Sequence, residues 1–206
     1  MDWQYLFSGA VFGLSAGLSP GPLLTLVVSE TLKYNAAEGI KVAVSPLLTD
    51  LPIILFIILV LSRVSDILPL LGTISLCGGL FIAYLGYESI RFTGAEVELH
   101  SVPPQSLRKG VAANFLNPSP YLFWLSIGAP LLLKAKENDP AGGILFLVIF
   151  YLLLVGSKML IALVVGKSRS FLKSGYYVLT VRGLGIVLFG FAVFFFRNGL
   201  RDLGVL

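Results

Sequence analysis

The chain has 206 residues, of which 56% are hydrophobic and only 13% charged, and its mean hydropathy is +0.91. A soluble domain carries about 25% charged residues, so there are too few polar side chains here to cover a water-facing surface. The net charge of +4 is modest and no basic–aromatic motif accompanies it, so no nucleic-acid partner is expected. The lone Cys77 excludes an intrachain disulfide.

Six stretches approach the roughly 20 apolar residues a membrane span needs: 3–31, 38–62, 67–91, 110–133, 141–166 and 178–197. No Lys or Arg precedes the first, so it reads as a retained span rather than a cleaved signal. It carries Gly9, Gly13, Gly17 and Gly21, spaced by four, a flat stripe on which a second helix can approach closely. It is then interrupted by Ser19-Pro20-Gly21-Pro22. Pro-x-Pro removes two backbone donors. Unsatisfied backbone in hydrocarbon costs several kcal/mol per group, so such a break belongs beside a cavity or inside protein. Glu30 and Lys33 follow, read as an exposed pair near the cytoplasmic interface, with a gate acid as the alternative.

In the second stretch stands Asp50. An acid at the centre of a span costs about 2.5–3.5 kcal/mol, so it should face a cavity or a partner, as a buried ion pair or as a proton or substrate site. The third stretch has a small-residue stripe of Gly72, Ser75, Gly79, Ala83 and Gly86, and Tyr84 and Tyr87 suit an interfacial belt. A polar loop at about 93–109, containing His100, divides the chain. The fourth stretch repeats the interruption as Asn117-Pro118-Ser119-Pro120, and the fifth holds the single charge Lys158. Lys158 is the obvious counter-charge for Asp50, or it snorkels to the interface.

The two halves align. Leu18, Pro20, Pro22 and Leu24 fall on Leu116, Pro118, Pro120 and Leu122; Gly79, Ile82 and Gly86 fall on Gly183, Ile186 and Gly190. Three spans per half forces the second half to enter the membrane from the opposite side. The predicted fold is therefore an all-α membrane protein of six transmembrane helices, arranged as two inverted three-helix repeats with broken first and fourth helices. It forms a single transmembrane domain, residues 1–206, with repeat 1 at about 1–92, a cytoplasmic loop at about 93–109 and repeat 2 at about 110–206. Lys33, Lys41, Arg91, Arg108, Lys109, Lys167, Arg169, Lys173 and Arg182 fall on one side, against Arg63, Lys134, Lys136, Arg197 and Arg201 on the other. The richer side should be cytoplasmic, placing both termini outside a cell membrane.

Two breaks at corresponding places in two halves point to a transport site near the midplane. Half-helix N-termini at Pro22 and Pro118 would offer free N–H groups and a positive dipole end to a carboxylate. The candidate substrate-binding residues are Ser19, Pro20, Gly21, Pro22, Thr25, Asn114, Asn117, Pro118, Ser119 and Tyr121; Asp50 and Lys158 are the candidate proton-coupling pair. No catalytic constellation, cofactor or metal site is expected.

Taken together, Ser19-Pro20-Gly21-Pro22, Glu38-Gly39-Ile40, Asp50 and Asn117-Pro118 resemble the LysE-type translocator family over essentially the whole chain. That resemblance implies proton-motive export of amino acids or related metabolites, with Pro20, Gly21, Pro22, Asp50, Asn117 and Pro118 at the family's motif positions. Leu23 and Ser119 stand where many members have Asn and Lys. The expected function is a secondary-active exporter, not an enzyme, whose partners are an amino-acid-like substrate, protons and membrane lipids, with a homo-oligomer also possible on this reading. The alternative is a divalent-metal exporter on the same scaffold.

Overall fold

A computed structural model describes residues 3–19, 21–61, 68–91, 104–168 and 176–205. Every regular element among them is helical: α1 (Trp3–Leu18), α2 (Pro22–Lys33), α3 (Ala36–Ala43), α4 (Ser45–Leu61), α5 (Leu68–Ile90), α6 (Ser106–Phe115), α7 (Pro118–Phe123), a π turn (Trp124–Gly128), α8 (Ala129–Asn138), α9 (Pro140–Ser168) and α10 (Tyr176–Asp202). Local chemistry sets several boundaries. Pro22 opens α2 and Pro118 opens α7, each at the first turn where its missing N–H costs nothing. Asn35 caps α3 by accepting from Glu38 N at 3.1 Å. The π turn runs up to Pro130, which has no N–H for a regular helix to use.

Among the described residues four segments are long and apolar enough to cross a membrane: Ala36–Ile57, Gly72–Ile90, Pro140–Lys167 and Val178–Asp202. A fifth arises if α1 and α2, bent by 57° at their break, are taken as one span. The fourth stretch, 110–133, expected to be a broken helix, consists of α6, α7, the π turn and α8, none of which is long enough alone. Apolar side chains stand exposed along the outer faces, among them Phe7, Leu51, Leu59, Leu80, Leu152 and Val193, as a lipid-facing surface requires.

The glycine stripes set the closest helix contacts. On α1, Gly9, Gly13 and Gly17 lie successively against Phe146, Phe150 and Ser157 of α9, so the two helices run parallel. A Cβ at Gly13 would meet the Phe150 carbonyl oxygen at 2.6 Å. Gly21, the fourth member of the predicted stripe, has open space around it. On α5, Gly72 meets Gly199 O and Gly86 meets Gly185 O, so α5 and α10 run antiparallel. Gly183 and Gly190, which the sequence alignment matched to Gly79 and Gly86, face open space. The working glycines of α10 are Gly185 and Gly199. Helix α4 packs against α6, α7, the π turn and α8.

At one end of the bundle the elements are tied by charge. Glu30 on α2 is fully buried, not exposed, and it pairs with α6 rather than with Lys33. Ser106 Oγ donates to Glu30 Oε2 at 2.6 Å and Lys109 Nζ reaches Oε1 at 3.3 Å. Lys109 also binds Glu88 of α5 at 2.6 Å, and Lys33 reaches the same Glu88 oxygen at 3.3 Å. Tyr84 and Tyr87 are exposed as a belt would have them, with Arg91 4.7 Å over the Tyr87 ring.

Candidate functional site

The break between α1 and α2 opens on a cavity of about 470 Å³, within the size range of small-molecule sites. Ser15, Ala16 and Ser19 line it from α1 and the residue after it; Gly21, Pro22, Leu23 and Leu24 line it from the start of α2. Pro46 and Asp50 come from α4, and Asn114, Asn117, Ser119, Pro120, Phe123 and Trp124 from the second break. Phe150, Leu154 and Lys158 of α9 and Phe191, Phe194 and Phe195 of α10 complete the wall.

Asp50 is 3% exposed and is held by neutral donors from three directions. Asn114 Nδ2 donates to Oδ1 at 2.9 Å, Tyr151 OH donates to Oδ2 at 3.2 Å, and Thr49 Oγ1 lies 3.4 Å from Oδ1. Asn114 Nδ2 also binds Thr49 Oγ1 at 2.6 Å, and Thr49 in turn reaches Ser45 O at 3.1 Å. Trp124 lies near enough to act on the carboxyl, yet its buried Nε1 completes no hydrogen bond of good geometry.

Lys158, also 3% exposed, makes no ion pair with Asp50 and does not snorkel. Its Nζ donates to Ala16 O at 2.7 Å and to Gly17 O at 3.0 Å. The reason lies in the backbone. Pro20 has no N–H, so the Ala16 carbonyl cannot receive its ordinary helical donor. An ammonium there meets orphaned carbonyls and the negative end of the α1 dipole together.

A similar repair operates at the second break, where Tyr121 OH donates to Phe115 O at 2.9 Å. This hydroxyl is spent on α6, and Tyr121 lines a separate cavity with Pro52 and Phe56. The Asn117 side chain accepts from Ser119 N at 3.0 Å, so it occupies the N-terminus of α7, a helix of six residues. Only α2, whose N-cap Gly21 brings no side chain, presents an uncapped N-terminus to the cavity among these two half-helices.

Of the residues singled out from sequence, Ser19, Gly21, Pro22, Asp50, Asn114, Asn117, Ser119 and Lys158 share this one cavity. Thr25 is buried in α2 outside it, and Pro118 and Tyr121 are not on its wall. Pro20 and His100 lie outside the described residues. Sequence reasoning missed Thr49, Tyr151, Trp124 and the phenylalanines. Tyr151 stood two turns from Lys158, on the same face of α9, which was the available signal. Among the described residues no three His, Cys, Asp or Glu side chains come together as a metal site would need.

The sequence model described as LysE type translocator matches residues 14–199, a stretch that includes both breaks, Asp50 and Lys158. No curated protein and no solved structure matches the chain.

Proposed function

Since the chain belongs to the LysE type translocator family, which implies a membrane exporter of amino acids or similar solutes, we propose that it is a proton-coupled secondary exporter working by alternating access. The observation that carries this reading is the cavity at the α1–α2 break. It gathers the charges of two separate spans, Asp50 and Lys158, beside the uncapped N-terminus of α2.

In this reading the substrate carboxylate lies at the α2 N-terminus, where the helix dipole favours an anion, with Lys158 adding positive charge. The substrate ammonium pairs with Asp50, whose oxygens still have acceptor capacity beyond their three neutral donors. A proton on Asp50 and an ammonium beside it exclude one another, because the neutral acid no longer attracts the cation. Mutually exclusive occupancy of one carboxylate makes an antiporter: proton arrival from outside releases the solute, and solute binding from inside expels the proton.

Six crossings and an inverted repeat complete the proposal. Parallel α1 and α9 need an odd number of crossings between them, which supports counting α6–α8 as a broken span. The glycine contacts support a two-fold relation. Gly72 and Gly86 of α5 map onto Gly185 and Gly199 of α10, each 113 positions on, and this exchanges the Gly72–Gly199 contact with the Gly86–Gly185 contact. With that arrangement both termini lie outside and the Glu30–Lys109–Glu88 cluster lies at the cytoplasmic end. Asp50→Asn tests the coupling in inside-out vesicles. Substrate-driven proton movement is expected to vanish, and solute exchange to weaken as well because the ammonium loses its partner; unchanged proton movement rejects Asp50 as the coupling group.

A further inference from the structure

The wall of the cavity narrows what can bind in it, and the argument rests on the transport reading above. Asp50 and Lys158 are the two charges that line the cavity; no third charged side chain among the described residues joins them. One acid and one base match the ammonium and carboxylate that every α-amino acid carries. Nothing is left to pair a charged side chain, and an unpaired charge or polar group taken from water into such a site is costly.

Most of the rest of the lining is aromatic and aliphatic, with the hydroxyls of Ser15, Ser19 and Ser119 and the amides of Asn114 and Asn117 set among it. Phe191, Phe194 and Phe195 of α10, spaced to share one helix face, line it together with Phe123, Trp124 and Phe150. Phe123 and Phe150 are stacked, 5.1 Å between centroids and 7° between planes, and Trp124 meets both edge-on at 5.3 and 5.7 Å. This side of the pocket is therefore a braced apolar wall. The two amides have other engagements: Asn114 holds Asp50 and Thr49, and Asn117 caps α7. Leu23 adds further apolar surface at the start of α2.

From these contacts we infer that the cavity selects zwitterions with a bulky, uncharged, apolar side chain, of the size and chemistry of leucine or phenylalanine, and rejects amino acids with basic or acidic side chains. Burying such a side chain against the aromatic wall contributes favourably in proportion to its apolar area. A site of this kind separates substrates by one or more powers of ten when the loser leaves a charge unpaired.

The test is counterflow in proteoliposomes of the full chain, with labelled leucine, phenylalanine, glycine, lysine and glutamate supplied separately. Leucine and phenylalanine are expected to exchange at least roughly tenfold faster than lysine and glutamate, with glycine between. Phe191→Ala should cut the preference for phenylalanine over glycine, and Phe191→Trp, which fills the cavity, should exclude phenylalanine before glycine. Unaltered melting temperatures would show that both variants fold. Exchange of lysine or glutamate equal to or faster than that of leucine overturns this inference and leaves the exporter reading standing. Exchange of none of the five overturns both.

Discussion

Lys158 shows how one side chain can mend a backbone that sequence has broken. The ammonium binds two carbonyls at the end of α1, and such charge-assisted bonds are about twice as strong as neutral ones. Lys158→Met keeps the apolar stem and removes the donors. The expected outcome is a loss of about 1–3 kcal/mol for each carbonyl left buried and unpaired, read as a lowered unfolding midpoint in detergent, with Lys158→Arg falling short of that loss. At this scale the two charges were legible because a charge in an apolar run is conspicuous. Their partners were not. Asp50 and Lys158 looked made for each other, but Lys158 answers a need created by Pro20, a main-chain need that side-chain complementarity does not reveal. Trp124 and Phe150 were invisible for the converse reason, since an aromatic in an apolar segment looks the same whether it faces lipid, core or cavity.

Between elements, the strongest polar link is the cluster joining α2, α5 and α6 through Glu30, Lys109 and Glu88. Lys109 lies outside the apolar runs, and although burial works against its charge, the carboxylates of Glu30 and Glu88 outweigh that and hold its pKa above the usual lysine range. A raised pKa stabilises the folded state below the unfolded value, and the benefit disappears only as pH rises through the folded value, so the link stays intact at neutral pH. Lys109→Met leaves the fully buried Glu30 carboxylate without its cation and should cost about 3–5 kcal/mol; adding Glu30→Gln should recover much of it. A double-mutant cycle on unfolding midpoints measures both. The apolar contacts make an equally sharp contrast along α10. A Cβ at Gly185 would lie 2.8 Å from Gly86 O, whereas Gly190 has nothing within 4 Å. Gly185→Ala is expected to destabilise by about 1–3 kcal/mol, and Gly190→Ala to stabilise by about 0.5–1 kcal/mol through reduced backbone freedom in the unfolded chain. The presence of small-residue stripes was legible from their spacing of four or seven. Which glycines meet was not, because register depends on helix direction and tilt, and α5 and α10 run antiparallel.

Over the molecule as a whole, the helical character and the two interruptions were plain in the sequence, as Pro-x-Pro and long apolar runs have few other outcomes. The fourth stretch was expected to be broken at Pro118–Pro120, and it is divided further than that, into three short helices and a π turn. Orientation is open to direct measurement. In a Cys77→Ser background, Lys41→Cys is expected to react with a membrane-impermeant maleimide only after permeabilisation of cells, and Arg197→Cys without it; the opposite pattern would reverse the assigned sides.

The ammonium seated at the end of α1 has one further consequence. In a carrier whose interrupted helix exposes bare carbonyls, that position suits a dissolved alkali ion, and occupancy then depends on the medium. Here the positive charge is covalently part of the chain, so its local concentration never falls. The break thus has its own cation built in, and its stability is expected not to depend on sodium, which equal melting temperatures in sodium and choline media would check.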